Sequence, residues 1–190
     1  MEFLFFDHVR QLEAHYRKTK AFAAMQREIH VEKFYAFLKY AGRRAVVLVV
    51  KGDHDDDFPG AYDVCRINRI RGCHEISGGT YRALGELFLG VSYQYTGYRR
   101  ISLSLLEQFP QKGGIVIAHA RQRNVPLLAD LAPKLIIRGH FGFGQHRVGG
   151  VPAVFTSGGH AIIDIAKAGA PRIRQPSPVT RIHQAQSRTI

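Results

Sequence analysis

Four polar groups stand directly after apolar, strand-like runs in this 190-residue chain. They are Asp7-His8 after Phe3–Phe6, Gly52-Asp53-His54-Asp55 after the run 45–50, His119 after Ile115–Ala118, and Gly139-His140 after Leu135–Ile137. Carboxylate oxygens and imidazole nitrogens are the donors that hold Zn, Mn or Fe. Taken singly, an aspartate or histidine after a strand is an ordinary turn or capping residue. Parallel strands carry their carboxyl ends to one edge of a sheet, so four such groups in register are expected to converge in space. Each of these groups, Asp7-His8, Asp53-His54-Asp55, His119 and His140, thus offers candidate metal ligands. His146 is a further candidate that could replace a missing donor, although a histidine in a glycine-rich turn more often faces solvent. Asp55-Asp56-Asp57 before Phe58-Pro59-Gly60 reads as a turn with capping potential.

The elements that must position these groups alternate along the chain. Phe3–Phe6 reads as a short buried strand. The segment from Val9 to Tyr40 has helical spacing, with apolar positions Phe34, Phe37 and Leu38 expected to pack on a sheet and Gly42 expected to end the helix. The run 45–50 is apolar throughout and rich in valine, as in a strand covered on both faces. The same signal returns at Ile115–Ala118, Leu135–Ile137, Val151–Phe155 and Ala161–Ile165, and Val125–Leu131 can form a crossover helix. This pattern predicts an α/β layered fold with its functional loops at the carboxyl ends of the strands. Residues 1–168 read as one domain, and 169–190 as a basic Pro/Arg-rich extended tail without a single acid. A chain of this length buries about 70% of the surface its unfolded form exposes, so a core needs no disulfide. Cys65 and Cys73 are too few for a disulfide scaffold and read as two buried thiols, with a local bridge between them as the alternative.

Charge narrows the partners. The chain has 27 Lys plus Arg against 15 Asp plus Glu, for a net charge of +12. Five of those acids, Asp7, Asp53, Asp55, Asp56 and Asp57, fall in two short segments, leaving the remainder strongly basic. Such a surface suits a polyanion, and RNA or a ribosomal particle is the expected partner. The candidate contacts are Arg17, Lys18 and Lys20 on the helix, Arg66, Arg69 and Arg71 near Tyr62, Arg99 and Arg100 near Tyr93, Tyr95 and Tyr98, and Arg172, Arg174, Arg181 and Arg188 in the tail. The apolar runs are far shorter than the roughly 20 residues of a membrane helix, and the N-terminus lacks the pattern of a signal peptide. The expectation is a cytoplasmic protein without a membrane partner.

In order and spacing these motifs resemble those of the calcineurin-like metallophosphoesterase superfamily. Phe6-Asp7 is similar to its second motif, Gly52-Asp53-His54-Asp55 to its third, His119 to its fourth and Gly139-His140-Phe141-Gly142 to its fifth, here in the Gly-His-x-Gly form of a small prokaryotic branch. The resemblance implies a layered sandwich and assigns Asp7, Asp53, His119 and His140 to one metal, with His54 as the general acid. The departures fall on the other metal. No Asp-x-His strand precedes Phe3, so the first βα unit is expected to be lacking unless the chain starts upstream. Gly142 stands where that family has a second histidine. Two cations about 3.5 to 4 Å apart clamp the oxygens of the displacement in such enzymes, and half of that clamp is expected to be lost. Two readings follow: a catalytically degenerate phosphoesterase fold bound to RNA or a ribonucleoprotein, and an active metal-dependent phosphoesterase with a mononuclear or rearranged centre.

Overall fold

The computed structural model describes residues 20–53, 55, 62–97, 100–101, 105, 107, 113–140, 142–156, 162–164 and 172–174. Asp7, His54, Arg17, Lys18, Arg99, Arg181, Arg188 and the strand expected at Phe3–Phe6 lie outside them, as do the side chains of Lys20, Arg100, Arg172 and Arg174.

Helix α1 (Lys20–Gly42) leads into strand β1 (Val47–Val49), and the short helix α2 (Val64–Asn68) leads into β2 (Cys73–Glu75). β1 and β2 pair in parallel as a two-stranded sheet. A hairpin follows, β3 (Thr80–Ala83) and β4 (Glu86–Val91), then the small pair β5 (Thr96–Gly97) and β6 (Arg100–Ile101). β7 (Ile115–His119), a 3-10 segment (Gln122–Leu131), β8 (Leu135–Gly139) and the hairpin β9 (Phe143–Val148) and β10 (Val151–Thr156) complete the main sheet. Its order is β3-β4-β7-β8-β10-β9, with β4, β7, β8 and β10 parallel and the two edge strands antiparallel. β11 (Ile162–Asp164) pairs antiparallel with β12 (Arg172–Arg174).

Alternating side chains explain how these parts stack, because successive residues of a strand point to opposite faces. On one face of the main sheet Leu89, Val116, Ile136 and Ala153 pack against Val125, Leu128 and Leu131 of the 3-10 segment. On the other face Phe88, Ile115, Ile117, Leu135, Ile137 and Val154 meet Leu48 and Val50 of the β1 segment. Val47 and Val49, facing away, meet Tyr35, Leu38, Val31 and Phe34 of α1. The result is four layers: 3-10 segment, main sheet, β1–β2 pair and helix. Each fully buried Ile, Leu or Phe in these interfaces contributes about 1.5–3 kcal/mol.

The α/β layering and the strands at 47–49, 115–119, 135–139, 151–156 and 162–164 match the sequence pattern. Some particulars differ. The run 45–50 does not join the sheet that holds β7 and β8 but forms its own layer with β2. The buried stripe of α1 is Val31, Phe34, Tyr35 and Leu38, spaced i, i+3, i+4, i+7, while Phe37 is 38% exposed. The crossover at 122–131 is 3-10 rather than α, with Pro126 inside it removing one backbone donor. Cys65 and Cys73 are both free thiols, but only Cys73 is buried, and Cys65 is exposed. No described helix is long and apolar enough to cross a membrane.

Candidate metal centre

The register of β7 and β8 fixes two of the three groups. His119 pairs with Gly139, so His140 is the next residue at the same strand-end row. The third, Asp53, arrives from the other layer, four residues after Val49 closes β1. His119 Nε2 lies 2.9 Å and His140 Nδ1 3.4 Å from Asp53 Oδ1, and the two imidazole rings meet edge to face with centroids 4.6 Å apart. His140 is buried, and the Asp53 and His119 side chains are mostly so. One ligand atom from each of the three lies within 4.8 Å of the others.

This donor set fits a divalent cation. Metal–nitrogen and metal–oxygen bonds of 2.0–2.2 Å in a tetrahedron put neighbouring ligands about 3.3 Å apart, and the 2.9 and 3.4 Å separations bracket that value. One nitrogen of each imidazole lies within 3.4 Å of the same carboxylate oxygen, Asp53 Oδ1. His140 also holds φ at 84°, a left-handed conformation that costs a histidine about 1–3 kcal/mol. Strain of that kind collects where a side chain is aimed at a ligand.

The loop carrying Asp53 is held from below. Gly52 N–H donates to Asp55 Oδ2 at 2.6 Å, so Asp55 acts as the turn acceptor that its sequence position predicts. A Cβ on Gly52 would sit 3.3 Å from His119 Cε1, close enough to push the imidazole. Lys51 N–H donates to Ser77 Oγ at 2.7 Å, and Ser77 N–H in turn donates to Glu75 Oε1. Tyr62 O–H donates to the same carboxylate at 2.7 Å. Burial pushes the Tyr62 hydroxyl far above its ordinary pKa of 10.0; Ser77 opposes this and Glu75 adds to it. A raised folded-state pKa stabilises the fold below the unfolded value and is lost as pH rises beyond it. Unfolding free energy is therefore expected to fall as pH climbs above 10, by up to about 1.4 kcal/mol per pH unit for this one proton. Tyr62→Phe is expected to flatten that slope in urea melts taken across the alkaline range.

Two polar groups near this edge escape sequence reasoning. Ser92 follows Val91, whose partner Ala118 precedes His119, and its buried hydroxyl has no hydrogen-bond partner. Nothing in Gly90-Val91-Ser92 signals this. Arg138 is fully buried on β8, two residues before His140. Its Nε and Nη2 donate to Ala120 O at 3.0 and 2.9 Å, its Nη1 donates to Gln122 Oε1, and its guanidinium lies over the Phe155 ring. Burial pulls its pKa below the arginine range. A charged residue at the end of a strand, directly after the apolar run Leu135–Ile137 and before Gly139, was the available signal.

His146 does not supply a fourth ligand. It is exposed on the edge strand β9 and stacks on Phe155 at 4.3 Å. Gly142 has φ 86°, and a Cβ there would lie 2.8 Å from Phe155 Cδ2. A histidine at this position is strained and sterically opposed. Gly142→His is expected to lower stability by about 1–3 kcal/mol in urea denaturation without adding a second bound cation. Of the candidate RNA contacts, Arg69 and Arg71 are exposed, whereas Arg66 pairs with Glu32 at 3.1 Å and lies 3.6 Å from the Tyr35 ring centroid.

A solved structure of metallophosphoesterase-like fold superposes on this chain with a TM-score of 0.59 at 16% identity, covering 87% of this chain and 79% of that one. The architecture is accordingly metallophosphoesterase-like: an α/β fold around a mixed central sheet. No protein-family model and no curated protein matches the sequence.

Proposed function

We propose that this protein holds one divalent cation through Asp53, His119 and His140 and handles phosphate esters at that cation. The observation that carries the reading is the convergence of a carboxylate and two imidazoles from positions 53, 119 and 140 onto one largely buried point. A fold retained only as a scaffold has no need to keep these three donors aimed together or to hold His140 at a strained backbone angle. A bound cation supplies Lewis-acid polarisation of a phosphoryl oxygen. The chain's own residues would hold and orient it: Asp53 offers charge, the imidazoles offer neutral nitrogen donors, and Arg138 fixes the turn that follows His119. His54, beside Asp53 in the sequence, is the residue that the motif resemblance assigns as proton donor. Asp7 is the fourth ligand on the same basis.

Net charge favours a second reading, in which the catalytic capacity is eroded and the fold binds RNA or a ribonucleoprotein such as the ribosome. Twenty-seven cations against fifteen acids exceed what solubility requires.

The deciding experiment measures the metal content of the purified full chain and its hydrolysis of bis(p-nitrophenyl) phosphate before and after addition of Mn. Stoichiometric metal with turnover supports the phosphoesterase reading. Metal-free protein without turnover overturns it and leaves the polyanion reading.

A further inference from the structure

The end of α1 and the turn from α2 into β2 cross at two glycines. A Cβ on Gly42 would collide with Arg71 O, and one on Gly72 would collide with Gly42 O and lie 3.1 Å from Ala45 O. Val47 N–H donates to Gly72 O at 2.8 Å, closing the crossing. Only residues without side chains allow the two backbones to approach this far.

The crossing joins two stretches of sequence, 33–52 and 64–74, neither of which contains an acidic residue. It brings Lys39, Tyr40, Arg43 and Arg44 from the first together with Arg69 and Arg71 from the second, and all six are exposed. The Arg44 guanidinium stacks 3.7 Å from the Tyr40 ring centroid and donates to Tyr40 O at 3.0 Å, bracing the ring while Tyr40 stays 59% exposed. Arg66, which sequence spacing groups with Arg69 and Arg71, is drawn off to Glu32 and Tyr35. The patch is therefore centred on the helix end.

We infer that this crossing is a binding surface for single-stranded RNA. Lys39, Arg43, Arg69 and Arg71 present cations to successive phosphates, and the braced Tyr40 ring offers a face on which an unpaired base can stack. A duplex, with its bases stacked internally, would leave Tyr40 unused. The inference shares with the second reading above the premise that the positive surface meets a polyanion, and it is independent of the cation centre.

The test is fluorescence anisotropy of a labelled oligouridine of about 15 nucleotides titrated with the full chain over a range of salt. Arg43→Glu/Arg71→Glu is expected to weaken binding about tenfold or more and to reduce the slope of log K against log salt by about 1.4, at roughly 0.7 per phosphate contact on a single strand. Tyr40→Ala is expected to weaken binding about fivefold or more with little change in that slope. Arg121→Glu/Arg123→Glu removes the same charge from exposed positions at the start of the 3-10 segment and is expected to have a much smaller effect. Arg43→Gln/Arg71→Gln, with a thermal melt, guards against misfolding of the charge-reversed protein. All patch variants are expected to keep the cation content of the wild type, so loss of RNA binding and failure of the metal reading are read separately. The inference is overturned if the wild type binds no oligouridine, if both double charge reversals weaken binding equally, if single-stranded DNA of equal length binds more tightly, or if phosphatidylserine vesicles are bound in preference to RNA.

Discussion

His119→Ala is expected to lower the affinity of the chain for Zn or Mn on the order of 100-fold or more, measured by calorimetry on the purified protein and by its metal content after dialysis. Outer partners of metal ligands already cost 10–100-fold when removed, and His119 is a direct donor candidate whose Nε2 stands 2.9 Å from Asp53 Oδ1. Its loss leaves one carboxylate and one imidazole among the described donors, too few to hold a cation against water. Any phosphodiester hydrolysis should fall with the metal. Because His119 ends a strand already held on both sides by β4 and β8, the fold should survive the change. Unchanged metal affinity in a folded variant would mean that the imidazole cluster is structural.

Arg138→Ala is expected to be the most damaging single change to stability, costing about 3–5 kcal/mol in urea denaturation. The substitution empties a fully buried volume and strips Ala120 O and Gln122 Oε1 of their donors. Unlike His119→Ala it touches no candidate ligand. It should nonetheless weaken cation binding severalfold, because the turn 120–122 begins directly after His119 and loses its anchor. Arg138→Lys is expected to rescue little, since one ammonium cannot reproduce the fork that binds Ala120 O twice. A stability loss without any change in metal affinity would show that the turn holds His119 without the guanidinium.

Much of the sheet was legible because its parallel strands are buried on both faces and so read as largely apolar runs. Ile115–His119, Leu135–Gly139 and Val151–Thr156 all announce themselves in this way. The hairpin of β3 and β4 does not. Its turn uses Leu84 at φ 55° before Gly85, not the asparagine or aspartate that marks such turns, and Gly90 interrupts β4 where its backbone packs on Ile76. β9 is hidden for a different reason: as an exposed edge it carries Gln145, His146 and Arg147 in place of an apolar run. The site followed the same logic. Asp53, His119 and His140 could be found because each follows a recognisable strand. Ser92 could not, because the strand before it was unread. The charge pattern fixed the sign of the surface, but its focus depends on the meeting of Gly42 and Gly72, some thirty residues apart, which no local pattern reveals.

The layer to which β1 belongs has a mechanical meaning. Asp53 hangs from the β1–β2 pair, while His119 and His140 hang from the main sheet, and the two layers meet through an apolar interface pinned at one place just past β2, where Gly78 N–H donates to Gly90 O and Gly90 N–H to Gly79 O. A small slide of one layer over the other would change the 2.9 and 3.4 Å separations directly. Ligand occupancy and layer offset are therefore two views of one equilibrium, and thermodynamic linkage requires each to bias the other by the same free energy. In that sense the three side chains act as a clasp, and the amide protection of β1 is a gauge of how firmly it is closed.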